Sequence, residues 1–128
     1  EFVSKFNIDR ASIPALALTT DTSIMTSISN DYDFSQIFAR QIESLGNEGD
    51  IFIAISTSGN SENIIHALNK GKKKGIINVG LTGKNGGKMK DLCDYCICVP
   101  SLDTPRIQES HLLIEHILCG IIEEELFG

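Results

Sequence analysis

The sequence lacks any apolar run approaching the roughly 18 residues that a membrane span requires. It also lacks a basic surplus: 11 Lys and Arg stand against 17 Asp and Glu, for a formal net charge of -6. That balance argues against general nucleic-acid binding, which needs cationic surface to meet phosphates. No secretory pattern opens the chain. Four cysteines in 128 residues do not make the disulfide framework of a small secreted domain. The expected compartment is therefore cytoplasmic. No repeat, linker or low-complexity segment interrupts the sequence, so one domain over residues 1–128 is the simplest organisation. At 41% hydrophobic residues it has the means to form a core.

What the sequence does have is alternation. "PALALTT" (Pro14 to Thr20) is a short apolar run closed by polar residues and predicts a buried strand. Asp21 or Thr22 can cap a short helix through "TSIMTSIS". "DFSQIFARQIESLG" places Phe34, Ile37, Phe38, Gln41, Ile42 and Leu45 at helical spacing, with Gly46 as a stop. "DIFIAIS" is apolar on both faces, as a central parallel strand is. Ser61 to Lys74 reads as a helix ended by Gly75. "IINVGLTG" and "YCICVP" are two further strands, separated by a turn and a short helix, and a long helix runs from about Thr104 to Leu126. Apolar strands alternating with helices predict an α/β fold, a three-layer α/β/α sandwich around a central parallel sheet.

On the last helix, Ile107, Ile114, Ile117 and Ile121 form one stripe, and Leu118, Ile122 and Leu126 a second. So wide an apolar surface predicts burial against more than the parent sheet, as in a helical oligomer interface. His111 and Glu115, an i, i+4 pair, read as a helix-surface or interface contact. The acidic run Glu123 to Glu125 reads as a solvated face. Cys93, Cys96 and Cys98 have no second pair to complete a tetrahedral metal site, which favours structural burial.

The chemistry points to "ISTSGNSENIIHAL", Ile55 to Leu68. Ser56, Thr57, Ser58 and Ser61 gather where a buried strand exits and a helix begins. In open α/β sheets, ligands bind beyond the carboxyl ends of the strands. A helix start offers free N–H groups and the positive end of its dipole. Gly59 permits a tight turn, and the hydroxyls can donate to phosphate oxygens. Together these features describe a phosphate cradle. It lacks the Gly-Lys-Ser/Thr ending of a P-loop and the dinucleotide glycine pattern. The alternative is that Ser58 or Ser61 simply caps the helix and the other hydroxyls are solvated. The residues themselves leave both open.

"ISTSGNSENII" resembles the signature of the SIS (sugar isomerase) family, whose Ser/Thr loop holds the phosphate of a phosphosugar. "PALALTTDTSIMTSISNDYDF", "GLTGKNGGKM" and "TPRIQESHLLIEHILCGIIE" narrow the likeness to the family's phosphoheptose isomerase branch, and it runs from Glu1 to the end of the chain. The resemblance implies a flavodoxin-like SIS domain. It also implies conversion of sedoheptulose 7-phosphate to D-glycero-D-manno-heptose 7-phosphate through an enediol, in heptose synthesis for lipopolysaccharide or capsule. It assigns substrate binding to Ser56, Thr57, Ser58, Ser61, Asp31 and Gln108. Catalysis falls to Glu1 and His116, and Glu1, Gln108 and His116 become ligands of a zinc ion. Gln108 and His116 stand eight residues apart, about 12 Å along a helix and about 80° around it. They cannot bond directly but can converge on one ion or substrate. The resemblance further implies a homotetramer with sites near subunit interfaces, a phosphosugar as partner, and neither nucleic acid nor membrane.

The sequence departs from the family pattern in places. Lys5 stands where many members carry arginine, and Pro105 where they carry small or acidic residues. The family's Asn-Gly-Gly-Ser turn, a metal-binding histidine, its first strand and its N-terminal helix have no counterpart here. "EFVSKF" itself reads like the end of a helix, so the expectation is a piece lacking an N-terminal part. Non-catalytic SIS adaptors, such as the one assisting the bacterial replication initiator, are the alternative reading. They resemble the enzyme but lack a histidine at the position of His116. A phosphosugar-sensing regulator is a third option, disfavoured because no DNA-binding segment is present.

Overall fold

A computed structural model describes all residues, 1–128. After an extended N-terminal segment, helix α1 (Thr22–Asp31) begins where the Asp21 carboxylate accepts the N–H of Ile24 at 3.0 Å. A 3-10 turn (Phe34–Gln36) then leads into α2 (Ile37–Leu45), which ends at Gly46. Strand β1 (Ile51–Ser56), helix α3 (Glu62–Lys73), strand β2 (Ile77–Thr82), strand β3 (Tyr95–Cys98) and helix α4 (Thr104–Phe127) complete the chain. Gly75, at φ 71°, closes α3 in the left-handed region that suits glycine.

The three strands form one parallel sheet in the order β1-β2-β3. Ile51 pairs with Ile77 and Ser56 with Thr82, while Val79 pairs with Tyr95. Strand side chains alternate between faces. Phe52, Ala54 and Gly80 therefore share one face, where Ala54, Leu68 of α3 and Met89 form a buried cluster. Ile42 of α2, Ala67 of α3 and Ile76 form a second cluster beside it. The opposite face carries Ile51, Ile53, Ile55, Ile77, Tyr95 and Ile97, all exposed. The α/β character and parallel sheet follow the pattern of the sequence.

Three local expectations are corrected. Pro14–Thr20 is not a strand, because no neighbouring strand lies there to pair with it. Leu18 instead packs on the cluster of Ile42, Ala67 and Ile76, its carbonyl accepts from Gln41 Nε2 at 3.0 Å, and Leu16 stays exposed. Within the chain α4 leaves part of its wide apolar surface open: Ile107 is buried, and Ile117, Ile121 and Leu126 are exposed. His111 is buried, not on the surface, with Nε2 3.1 Å from the carbonyl oxygen of Thr82 at the end of β2. Glu123, read as part of a solvated face, is only 1% exposed.

Candidate functional site

The hydroxyl loop sits at the carboxyl end of β1, where the chain turns into α3. Ser61 occupies the N-cap position of α3, but its side chain makes no capping bond. Its Oγ lies 2.9 Å from Ser56 Oγ, and Ser58 Oγ lies 3.5 Å from the same atom. Ser56 is 7% exposed and accepts the N–H of Gly59 at 3.1 Å. Three hydroxyls thus converge on one another instead of on the helix backbone. The simple cap fails for Ser61, and the start of α3 keeps N–H groups that its own serine does not use.

A second glycine loop holds the first in place. The N–H of Met89 donates to the Gly59 carbonyl at 3.0 Å, and that of Lys88 to Asn60 Oδ1 at 3.0 Å. The N–H of Gly83 reaches the Thr57 carbonyl at 3.0 Å. Gly59, at φ 67°, faces the carbonyl oxygen of Gly86 so closely that any β-carbon would overlap it. Gly87, at φ 56°, would meet the carbonyl oxygens of Ser58 and Gly59 at 2.5 Å. An open pocket of about 300 Å³ adjoins the loop. Thr57, Ser58, Asn60, Lys84, Asn85 and Thr104 are among its lining residues. Sequence reasoning missed Lys84 and Asn85, although a lysine among glycines after a strand is itself an anion-site signal.

The other predicted residues lie apart from the loop. Asp31 ends α1 and is exposed, its carboxylate accepting from Asn30 Nδ2 at 3.0 Å. Gln108 and His116 are exposed on α4. The structure does bring the N-terminal segment to His116: the Phe6 ring stacks on the imidazole with centroids 5.8 Å apart and planes 24° from parallel. Glu1 is exposed in that segment, and its backbone carbonyl accepts from Arg10 at 3.0 Å. It also lies close enough to α4 for its charge to act on the Cys119 thiol. That thiol is pushed up chiefly by burial, with the Glu1, Glu115 and Glu123 carboxylates adding to it. Carboxylate, amide oxygen and imidazole are donor types that zinc accepts. No three His, Cys, Asp or Glu side chains of this chain gather as a metal site. Cys96 remains a thiol: burial and its neighbour Cys98 push it up to about 12.

The SIS domain profile matches residues 1–83. The chain belongs to the SIS domain family. This SIS domain is 64% identical over 127 residues to a phosphoheptose isomerase of Aneurinibacillus thermoaerophilus, covering 99% of this chain and 64% of that protein. It is 62% identical to phosphoheptose isomerase 2 of Campylobacter jejuni, covering 100% of this chain and 64% of the relative. A solved phosphoheptose isomerase from Francisella tularensis superposes with a TM-score of 0.93 at 42% identity, covering 97% of this chain and 66% of that one. The chain thus spans just under two thirds of the length of the relatives it matches. No helix in it is long and apolar enough to cross a membrane.

Proposed function

We propose that this SIS domain belongs to a cytoplasmic phosphosugar aldose–ketose isomerase that converts sedoheptulose 7-phosphate to D-glycero-D-manno-heptose 7-phosphate. The observation that carries the reading is the hydroxyl cluster of Ser56, Ser58 and Ser61 at an uncapped helix start. Hydroxyls that do not serve their own helix are available to a phosphate, which the helix dipole also favours. Thr57 lines the adjoining pocket. The names of the similar proteins support a heptose phosphate as the phosphate's carrier.

Isomerisation moves a proton from C1 to C2 through an enediol and another between the two oxygens. Glu1 serves as the carboxylate base at carbon, and His116 as the acid at oxygen. Gln108 and Asp31 contact the sugar hydroxyls. The phosphate loop supplies binding energy remote from the reacting carbons and registers the sugar along α4. Zinc belongs to the same proposal, with Glu1, Gln108 and His116 as its ligands; when bound it would polarise the carbonyl. Only donor chemistry supports it. A homotetramer completes the proposal, supported by the exposed Leu112, Leu113, Ile117 and Ile121 of α4. The product serves heptose synthesis for lipopolysaccharide or capsule.

The decisive experiment measures turnover of sedoheptulose 7-phosphate by the full-length protein, with and without added zinc. Replacing Thr57 and Ser58 together by alanine should raise KM. An unchanged KM would sink the cradle, and absence of turnover under both conditions would sink the activity.

A further inference from the structure

We propose that Glu123 and Arg10 form a positioning clamp, which fixes the N-terminal segment and its Phe6 against the face of α4 that carries His116. The segment before Pro14 contains no helix or strand. Its own backbone is joined by one hydrogen bond, from Ile13 N–H to the Phe2 carbonyl at 2.9 Å. Within residues 1–128 the contacts that hold it come from α4.

That holding group is the Glu123 carboxylate. It accepts three consecutive backbone N–H groups, from Phe6 at 3.0 Å, Asn7 at 2.6 Å and Ile8 at 2.9 Å. Arg10 Nε adds a fourth donor at 2.9 Å across 113 residues of sequence. The two side chains are 3% and 2% exposed. The rest of the Arg10 guanidinium folds the segment back on itself. It donates to the carbonyls of Phe2 at 2.7 Å, Ala11 at 3.0 Å and Glu1 at 3.0 Å. Arg10 also lies over the Phe127 ring at 5.5 Å, near the end of α4.

The location gives the clamp its function. Glu123 follows His116 by seven residues, two turns of helix, which puts both on one face about 10 Å apart. Phe6, whose N–H is held by Glu123, is also the residue stacked on His116. The Arg10 guanidinium also holds the Glu1 carbonyl, at the start of the same segment. One ion pair therefore ties down the residue that stacks on the histidine. A pair of apolar side chains can often replace a buried ion pair without loss of stability. No apolar pair can accept three N–H groups, so the register of Phe6 over His116 depends on this carboxylate.

The kinetic part of the proposal rests on the isomerase reading; the structural part does not. Glu123→Gln in the full-length protein keeps shape but loses charge and one acceptor oxygen. With sedoheptulose 7-phosphate, kcat should fall roughly 10- to 100-fold, as misplaced catalytic groups do. KM should hold within about twofold, because the phosphate loop lies elsewhere. NMR gives the independent arm. The His116 ring resonance, identified by its loss in His116→Gln, should leave its stacked position in Glu123→Gln as it does in Phe6→Leu. If Glu123→Gln does not fold, Arg10→Lys takes its place, since it keeps the charge but loses the fork to Glu1 and Phe2. A folded clamp variant whose His116 resonance is unmoved overturns the clamp, whatever the kinetics. So does a variant whose KM rises in step with the loss of kcat. If the wild type turns over no phosphosugar, the isomerase reading falls and the resonance alone decides the clamp.

Discussion

The hydroxyls of Ser56 and Ser61 meet at 2.9 Å, across the turn that opens α3. A serine at an N-cap ordinarily bonds to its own helix; here it bonds to the strand end instead. Stability of the helix and occupancy of the loop are therefore separable by mutation. Ser61→Asp should cap α3 and raise stability by about 0.5–1 kcal/mol. Its negative charge should also repel phosphate and raise KM by ~10-fold or more. Thermal unfolding and steady-state kinetics on the same preparation check both signs. A variant that gains stability and keeps its KM would show that no anion sits there.

Gly59 and Gly49 make a matched pair for measuring the interlock of the two glycine loops. Both have positive φ, but a β-carbon on Gly49 would meet nothing within 4 Å, whereas one on Gly59 would overlap Gly86. Gly49→Ala should cost only backbone strain, about 1 kcal/mol. Gly59→Ala should cost about 2–4 kcal/mol, because the second loop must move as well. Urea midpoints give the difference, and equal losses would mean that the two loops are not mechanically coupled.

The Glu123 carboxyl sets an acid limit on the clamp. Burial alone would raise it, but the N–H groups of Phe6, Asn7 and Ile8 and the side chain of Arg10 outweigh that and lower it from 4.5 to about 2. A carboxyl lowered on folding stabilises the protein fully above its unfolded value and loses that contribution as pH falls. The melting temperature should therefore decline as pH drops from about 4.5 toward 2. Glu123→Gln should start lower at neutral pH and show a shallower decline. Parallel curves for the two proteins would contradict this account.

His116→Gln in the full-length protein tests the chemical step apart from binding. Losing a general acid typically costs about 10²- to 10⁴-fold in rate. KM should change little, since the proposed phosphate seat is the loop after β1 and not α4. Near-normal turnover would remove His116 from the reaction.

The sequence made legible whatever rests on local pattern. The apolar run Ile51–Ser56 became β1, and Gly75 ended α3 as its position before "IINVGLTG" indicated. The long helix runs Thr104–Phe127, within a residue of its expected end. What stayed hidden depends on distant partners. Pro14–Thr20 has the composition of a strand, but composition cannot supply a neighbouring strand. Glu123 sits between Ile122 and Glu124, and nothing nearby marks it as different from the solvated glutamates beside it. Its partners are Phe6 through Arg10, more than 100 residues earlier. His111 likewise owes its burial to Thr82, 29 residues before it. The hydroxyl loop was half legible: spacing named the residues, but only geometry showed that Ser61 turns to Ser56 and does not cap its own helix.

The exposed isoleucines of the sheet have a calorimetric meaning. Unfolding raises heat capacity mainly by wetting apolar surface, typically by about 12–15 cal/mol/K for each residue of a folded domain. Ile51, Ile53, Ile55, Ile77 and Ile97 are already 38–65% exposed in residues 1–128, so their unfolding adds less to that increment than that of fully buried isoleucines. Residues 1–128 on their own should give a specific value below this range, and a stability curve correspondingly flat in temperature.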